Sequence, residues 1–329
     1  MRTLGRYALG VTAAACMLAA CGTSQPPIGA PGAMPQSRGI ATHVERGGSW
    51  MLPEPSRKSG DLIYVMGPVK NYIISYSTGA TIATFDGPEG RGAGLCSDEQ
   101  GHVFMPATGE IWEFKHGGTT PINKLKDSYR AMGCSIDPLT GDLAVANFEK
   151  ASSYNTRGNI AIFEHGSGKP KFLVDPTIKN YVSCGYDAAG NLFLDGSADG
   201  ASFLFAELPA GSSSFVDLSL NKPVLDPGSV QWDGRNIAVG VNGARLIYRV
   251  SASGSIATVL GTTRLDTINR PIIAFWVQGS TVMTASGATH KKVGLWDYPD
   301  GGKPVKQYGP ISRGPGRLGG MTVSVAPSL

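Results

Sequence analysis

From residue 60 onward the chain alternates short apolar runs with tight polar turns, and the alternation repeats. A turn leads into a brief apolar strand at Gly60-Asp61-Leu62, Gly101-His102-Val103, Gly141-Asp142-Leu143, Gly190-Asn191-Leu192, Arg235-Asn236-Ile237 and Ser280-Thr281-Val282. The third members stand at 62, 103, 143, 192, 237 and 282, a period of 40 to 49 residues. That is the size of one four-stranded antiparallel unit. Ahead of five of these strands lies another short strand, closed by Asp98, Asp137, Asp187, Asp233 or Gln278. Aspartate followed closely by Gly or Asn is hairpin chemistry, because these residues bond their own backbone or tolerate positive φ. A third strand follows, whose large residue precedes a glycine by three positions at Tyr76, Phe114, Phe163, Leu208 and Tyr298, with Val250 slipped by one. A fourth strand, such as Thr81 to Phe85, Lys171 to Val174 or Ser255 to Leu260, completes the unit.

The two ends of this array are complementary. The first unit opens on its second strand, and the chain ends in the alternating segment Met321-Thr322-Val323-Ser324-Val325 with no second strand after it. Pairing that tail into the first unit supplies the missing strand and removes the exposed sheet edges of an open array. The expected fold is therefore all-β: a six-bladed β-propeller of four-stranded antiparallel blades over residues 60–329, closed by its C-terminal strand. An open solenoid or a two-sheet sandwich explains neither missing strand. Composition fits, since 45 Gly and 22 Pro with only 16% charged residues suit many turns better than long wet helices.

In texture the repeats of residues 60–329 resemble the NHL-repeat and gluconolactonase-like six-bladed propellers. The second resemblance implies a divalent cation such as Ca²⁺, held in the central channel by carboxylate and amide oxygens. It specifies a fold better than an activity.

The first sixty residues set an address. Arg2 and Arg6 precede an uncharged apolar run from Tyr7 to Ala20, too short to span a bilayer and of the length of a signal-peptide core. Leu18-Ala19-Ala20-Cys21 follows directly and resembles a bacterial lipobox, which implies cleavage after residue 20 and lipidation of Cys21. An ordinary secretory signal with Cys21 as a free thiol is the plainer alternative. Multiple acyl chains anchor a protein stably to a membrane. Gly22, where an Asp would favour inner-membrane retention, favours the outer membrane of a cell envelope. Residues 21–59 are rich in Pro, Gly and Ser without apolar periodicity and read as a tether, in which the Trp50-Met51-Leu52 patch stands apart. The net charge of +4 includes Arg2 and Arg6 and shows no cluster of the kind that nucleic acid requires.

Three cysteines remain for the domain. Cys134 and Cys184 stand three positions before their turn aspartates and Cys96 two, so the first two share a strand face and Cys96 takes the other. Small packing residues are the plainer reading of all three. A Cys134–Cys184 disulfide is the alternative in an oxidising envelope.

Candidate chemistry lies in the loops that follow the second and fourth strands, which share one end of a propeller. They carry Lys126, Tyr129 and Arg130; Phe148, Lys150, Tyr154 and Arg157; Asp175, Lys179 and Tyr181; Arg264, Asp266 and Arg270; and His290. Mixed Tyr, Arg and Asp on long loops are the residue types of binding hot spots. Tyr129, Arg130, Asn147, Phe148, Tyr154, Tyr181, Asp195 and Arg270 are the candidate ligand-binding residues for an envelope protein, peptide or glycan. The opposite end carries tight turns, with His116 and His165 in matching positions. The competing reading is a lactonase-like hydrolase or lyase with Asn147 and Asp195, at the ends of two second strands, as cation ligands. No G-x-S-x-G, H-E-x-x-H, P-loop or dinucleotide motif is present.

Overall fold

The six strands that the turn pattern marks begin at Leu62, Val103, Leu143, Leu192, Ile237 and Thr281 in the computed structural model. It describes residues 60–88, 94–200, 202–266, 274–285, 291–312 and 316–327. The expected signal peptide, Cys21, the tether, Arg270 and His290 lie outside the described residues. The strand starts are regular for a local reason. Asp98, Asp137, Asp187 and Asp233 each accept a nearby backbone N–H, from His102, Leu139, Ala189 and Arg235, at 2.7, 2.8, 2.8 and 2.9 Å. Gly101 and Gly190 complete two of these turns at φ of +83° and +81°, which a side chain resists.

Strands β1 (Leu62–Val65), β2 (Asn71–Ser75) and β3 (Thr81–Phe85) form an antiparallel meander. Then β4 (Cys96–Ser97), β5 (Val103–Pro106), β6 (Thr108–Phe114), β7 (Asn123–Ile136), β8 (Leu143–Lys150), β9 (Asn159–Phe163) and β10 (Lys171–Leu173) join in chain order as one sheet. A four-stranded sheet follows, of β11 (Asn180–Tyr186), β12 (Leu192–Ser197), β13 (Leu204–Leu208) and β14 (Val216–Asp217). Next, β15 (Ser219–Leu220) runs parallel to the outer strand of a sheet made of β16 (Val230–Trp232), β17 (Ile237–Val241), β18 (Leu246–Ser253) and β19 (Ile256–Leu265). The last meander holds β20 (Phe275–Gln278), β21 (Thr281–Ala285) and β22 (Val293–Asp297). After it, β23 (Gly301–Gly302) lies parallel against β19, and β24 (Lys306–Tyr308) pairs with β22. Finally β25 (Met321–Ser324) pairs antiparallel with β1, with Ile63 opposite Val323. The arrangement is all-β and propeller-like, built of four-stranded antiparallel meanders.

Hydrogen bonding groups these strands into five sheets, not six separate ones, and the reason is β7. It runs unbroken for 14 residues, pairing with β6 mainly in its first half and with β8 in its second. Register shifts at Arg130/Ala131 and Ala131/Gly133 bend it, as bulges do. The outer strand of one meander thus becomes the inner strand of the next, and Tyr129 and Arg130 belong to a strand instead of the expected loop.

Six buried apolar clusters lie between successive meanders. Tyr64 and Phe85 meet Val103 and Phe114, Phe104 meets Phe163, and Ile160 meets Tyr181 and Leu192. Phe193 and Phe205 meet Val230, and Ile247 meets Phe275 and Trp296. The sixth cluster joins the last meander to the first, with Trp276, Met283 and Leu295 against Ile63, Ile74 and Val323. Each such side chain contributes roughly 1.5–3 kcal/mol through burial.

The innermost strands are also tied to one another by hydrogen bonds. Ser97 Oγ donates to Val323 O at 2.7 Å, Gly94 N to Met132 O at 2.8 Å, and Tyr186 N to Ser135 Oγ at 3.0 Å. Val230 N donates to Ser183 Oγ at 3.0 Å, and Gln231 exchanges two bonds with the backbone of Val277. Fully buried Asp195 accepts from Ser183 N in its own sheet at 2.9 Å and from Gly228 N, ahead of β16, at 2.7 Å.

The cysteine expectation is corrected. Cys96 and Cys134 form a disulfide with Cα atoms 5.6 Å apart, while Cys184 is a free, buried thiol. Opposite strand faces, which seemed to separate Cys96 from Cys134, are what bring them together. Neighbouring sheets turn opposite faces toward the interface they share, so both thiols enter one cluster. Cys134 and Cys184 share a face and therefore point into successive, different interfaces.

Two outcomes are expected. Non-reducing peptide mapping recovers Cys96 and Cys134 in one linked fragment with Cys184 alkylatable only after unfolding. The Cys96→Ala/Cys134→Ala variant, lacking a bridge across a 38-residue span, loses about 2–4 kcal/mol of unfolding free energy. The second outcome concerns pH. Burial pushes the Asp195 carboxyl up to about 8 and Asp127 up to about 6, against an ordinary value of 3.8. The folded protein keeps protons there that the unfolded chain releases, so stability falls as pH rises from about 4 to about 8. Urea unfolding of Asp195→Asn shows a flatter pH dependence above about 7, where Asp127 has largely titrated; an unchanged slope contradicts this assignment.

Candidate functional site

The longest described connection between second and third strands of a meander, residues 151–158, joins β8 to β9. It is a built loop. Ala151 N donates to Ser128 O and Lys150 N to Thr156 Oγ1, and Asn155, at φ +61°, donates its N–H to Glu149 Oε2 at 2.8 Å. Gly158 N donates to Lys179 O at 2.7 Å, and a side chain at 158 would meet Asn147 O at 1.8 Å. A glycine is therefore required where the loop re-enters the sheet. At the tip, Tyr154 is 89% exposed.

Beneath the loop the register brings several of the candidate residues together. Tyr129 pairs across from Lys150 and Arg130 across from Glu149. The Tyr129 ring lies 5.3 Å from that of Phe172, and the Arg130 guanidinium stands 5.0 Å over the Phe148 ring with Nη1 at 3.3 Å from Glu149 Oε1. Lys179 Nζ bonds Asn155 Oδ1, Arg157 Nη1 donates to the carbonyls of Asp175 and Ile178, and Asn180 Nδ2 donates to Phe148 O. Tyr129, Arg130, Phe148 and Tyr154 thus belong to one assembly. Glu149 and Phe172 belong to it as well, and only strand register could have revealed them.

Other candidates are built into the framework. Tyr181 is fully buried, and its hydroxyl accepts from Asp175 N at 2.6 Å and donates to Asp175 O at 3.2 Å, with burial raising its pKa. It holds the turn before β11 and is not a surface residue. Asn147 is also fully buried; its Nδ2 donates to Asp127 Oδ2 and Asn159 Oδ1, each at 2.9 Å, and its Oδ1 has no hydrogen-bond partner. Asp195 spends both oxygens on backbone N–H groups. The two residues thus sit in separate networks, and both oxygens of the Asp195 carboxyl group are already committed. They do not fit the cation centre that the gluconolactonase-like resemblance implies. Among the described residues no group of three His, Cys, Asp or Glu side chains gathers around a common point.

Concavities of very different size lie at the centre and at the tight-turn end. The space between the innermost strands is lined by small residues such as Gly94, Ser97, Gly133 and Ser183 together with the rings of Tyr186, Trp232, Phe275 and Trp276, and encloses about 40 Å³, room for water more than for a substrate. The tight-turn end carries a larger cleft of about 520 Å³ lined by Asp98, His102, Glu113, Asp137, Leu139 and His165. There His102 Nδ1 lies 3.0 Å from Asp98 Oδ2 and 3.4 Å from Glu113 Oε1. His165 lies at the surface and His116 is half-buried; His116 Nδ1 bonds Ser324 Oγ at 2.8 Å and His165 Nδ1 bonds Thr140 O at 2.7 Å.

No protein-family model and no curated protein matches this chain. Solved structures share its fold. A chain of the nidogen/laminin complex superposes with a TM-score of 0.65 at 13% identity, covering 82% of this chain and 100% of that one. A Bacteroides caccae protein of unknown function gives 0.58 at 12% identity, covering 81% and 99%. The β-propeller domain of Cps50 (Swd1) from Myceliophteria thermophila gives 0.53 at 14% identity, covering 77% and 84%. At these identities the likeness establishes the β-propeller fold and nothing about activity.

Proposed function

We propose that this chain is a lipid-anchored lipoprotein of a bacterial cell envelope, with the outer membrane favoured, whose propeller binds an envelope protein, peptide or glycan. In this reading the propeller has six blades and is closed. The seven-stranded sheet counts as two meanders that share β7, and β25 completes the first blade beside β1. The six interface clusters support that count. The address rests on Leu18-Ala19-Ala20-Cys21 after an uncharged apolar run.

One observation carries the binding reading. A loop fixed by its own backbone and side-chain bonds presents a nearly naked tyrosine beside an arginine that Phe148 and Glu149 hold in place. Tyr and Arg are the usual anchors of interfaces, and a fixed loop backbone with a held Arg130 leaves less ordering entropy to be lost on binding. The framework supplies rigidity and the loop supplies contact. No catalytic step is assigned to this end.

Two experiments test the two halves. The Cys21→Ser variant moves from the membrane fraction to the soluble fraction after cell lysis; unchanged membrane retention contradicts lipid anchoring. The Tyr129→Ala/Tyr154→Ala variant loses the partner captured from detergent-solubilised envelopes while keeping the parental melting curve. Capture undiminished by both substitutions contradicts the assignment of this end.

A further inference from the structure

The end of the molecule around the β8–β9 loop sorts its charges by sign. Its acids turn inward. Asp127 and Asp175 are buried, and the Glu149 side chain, 8% exposed, is held by Arg130 Nη1 and Asn155 N. Its bases turn outward, with Lys150 and Arg157 exposed, the Arg130 side chain 41% exposed, and Lys179 half-buried against Asn155. The Lys150 ammonium has no side-chain partner among the described residues, and Tyr154 stands in the loop between Lys150 and Arg157. Asp217, whose Oδ1 accepts from Thr177 Oγ1 at 3.1 Å, borders this surface on the β14 side.

The sorting has an energetic reading. A buried carboxylate is shielded from an incoming ligand and spends its charge on internal hydrogen bonds. Arg130 shares its charge with Glu149 at 3.3 Å, so the outward positive potential rests chiefly on Lys150, which has no side-chain partner among the described residues, and on the exposed Arg157. The geometry points to an acidic protein segment as the occupant of this surface, with its carboxylates on Arg130, Lys150, Arg157 and Lys179 and one side chain packed on Tyr154. Guanidinium forks take carboxylates in pairs, and Arg130 is already oriented by Phe148 below and Glu149 beside it. A protein partner is favoured over a glycan because an exposed Tyr on a fixed loop, next in sequence to an Asn that shares Glu149 with Arg130, is the composition of protein hot spots. This inference rests on the binding role proposed above and names the chemistry of the partner.

The test uses the full-length protein in detergent micelles and a fluorescein-labelled deca-glutamate peptide, read by anisotropy. Binding is expected at low salt and weakens as salt rises, because exposed charges are screened. Lys150→Glu weakens the peptide by at least about fivefold, whereas Lys303→Glu, the same charge change between β23 and β24, leaves it within about twofold. Both positions are exposed, so matching melting curves are expected for the two variants. Equal weakening by both, or no binding at low salt, overturns the assignment. So does tighter binding of an oligogalacturonate of equal charge, which would make the partner a glycan. Failure here together with lost capture by Tyr129→Ala/Tyr154→Ala discards only the acidic partner; failure of both discards the binding end.

Discussion

Among the described meanders, the first takes its inner strand from the far end of the chain. There β1 would be an open edge with a half-built inner face if β25 did not pair along it. That pairing does more than satisfy four residues of backbone. It carries Met321 and Val323 into the same buried cluster as Trp276, Met283 and Leu295 of the last meander. It also positions Val323 O to accept from Ser97 Oγ of the second meander, and Ser324 Oγ to reach His116 Nδ1. One short strand from the far end of the sequence therefore touches three meanders, and the proposed ring depends on it. An unpaired edge would expose backbone groups and invite pairing between chains.

Around that latch the remaining interfaces use three different ties. Hydroxyl and amide side chains of Ser135, Ser183 and Gln231 lace adjacent inner strands. The Cys96–Cys134 bridge replaces such a bond between the second and third meanders. Asp195 links β11 to the segment ahead of β16 through two N–H groups. The inner wall is thus crowded with structural polar groups, and those residues are occupied in holding sheets together. Recognition is left to the outer end, where the β8–β9 loop stands on the bent β7 and its long partner β8.

Much of the fold is legible in the chain, because its punctuation is local. The turn aspartates Asp98, Asp137, Asp187 and Asp233 bond their own backbones, so the strands beside them can be counted from sequence alone. Long-range placement is less legible. Nothing local says that the segment around Tyr129 and Arg130 continues as strand, since that follows from pairing with residues twenty positions away in β8. Tyr181, Asn147 and Asp195 look like loop-end polar groups in sequence, yet each is fully buried and pairs with groups that only the folded chain supplies. The cysteines show the same limit in another form. Strand parity follows from each cysteine's distance to its turn aspartate, but which faces meet depends on how neighbouring sheets confront each other.

Hydrogen exchange measured segment by segment addresses the latch most directly. If β25 closes the ring, the amides of residues 321–324 exchange together with those of 62–65, in the step that unfolds the whole domain. Rapid exchange of 321–324 while 62–65 remain protected would show that the tail is an ornament and that the first meander stands without it.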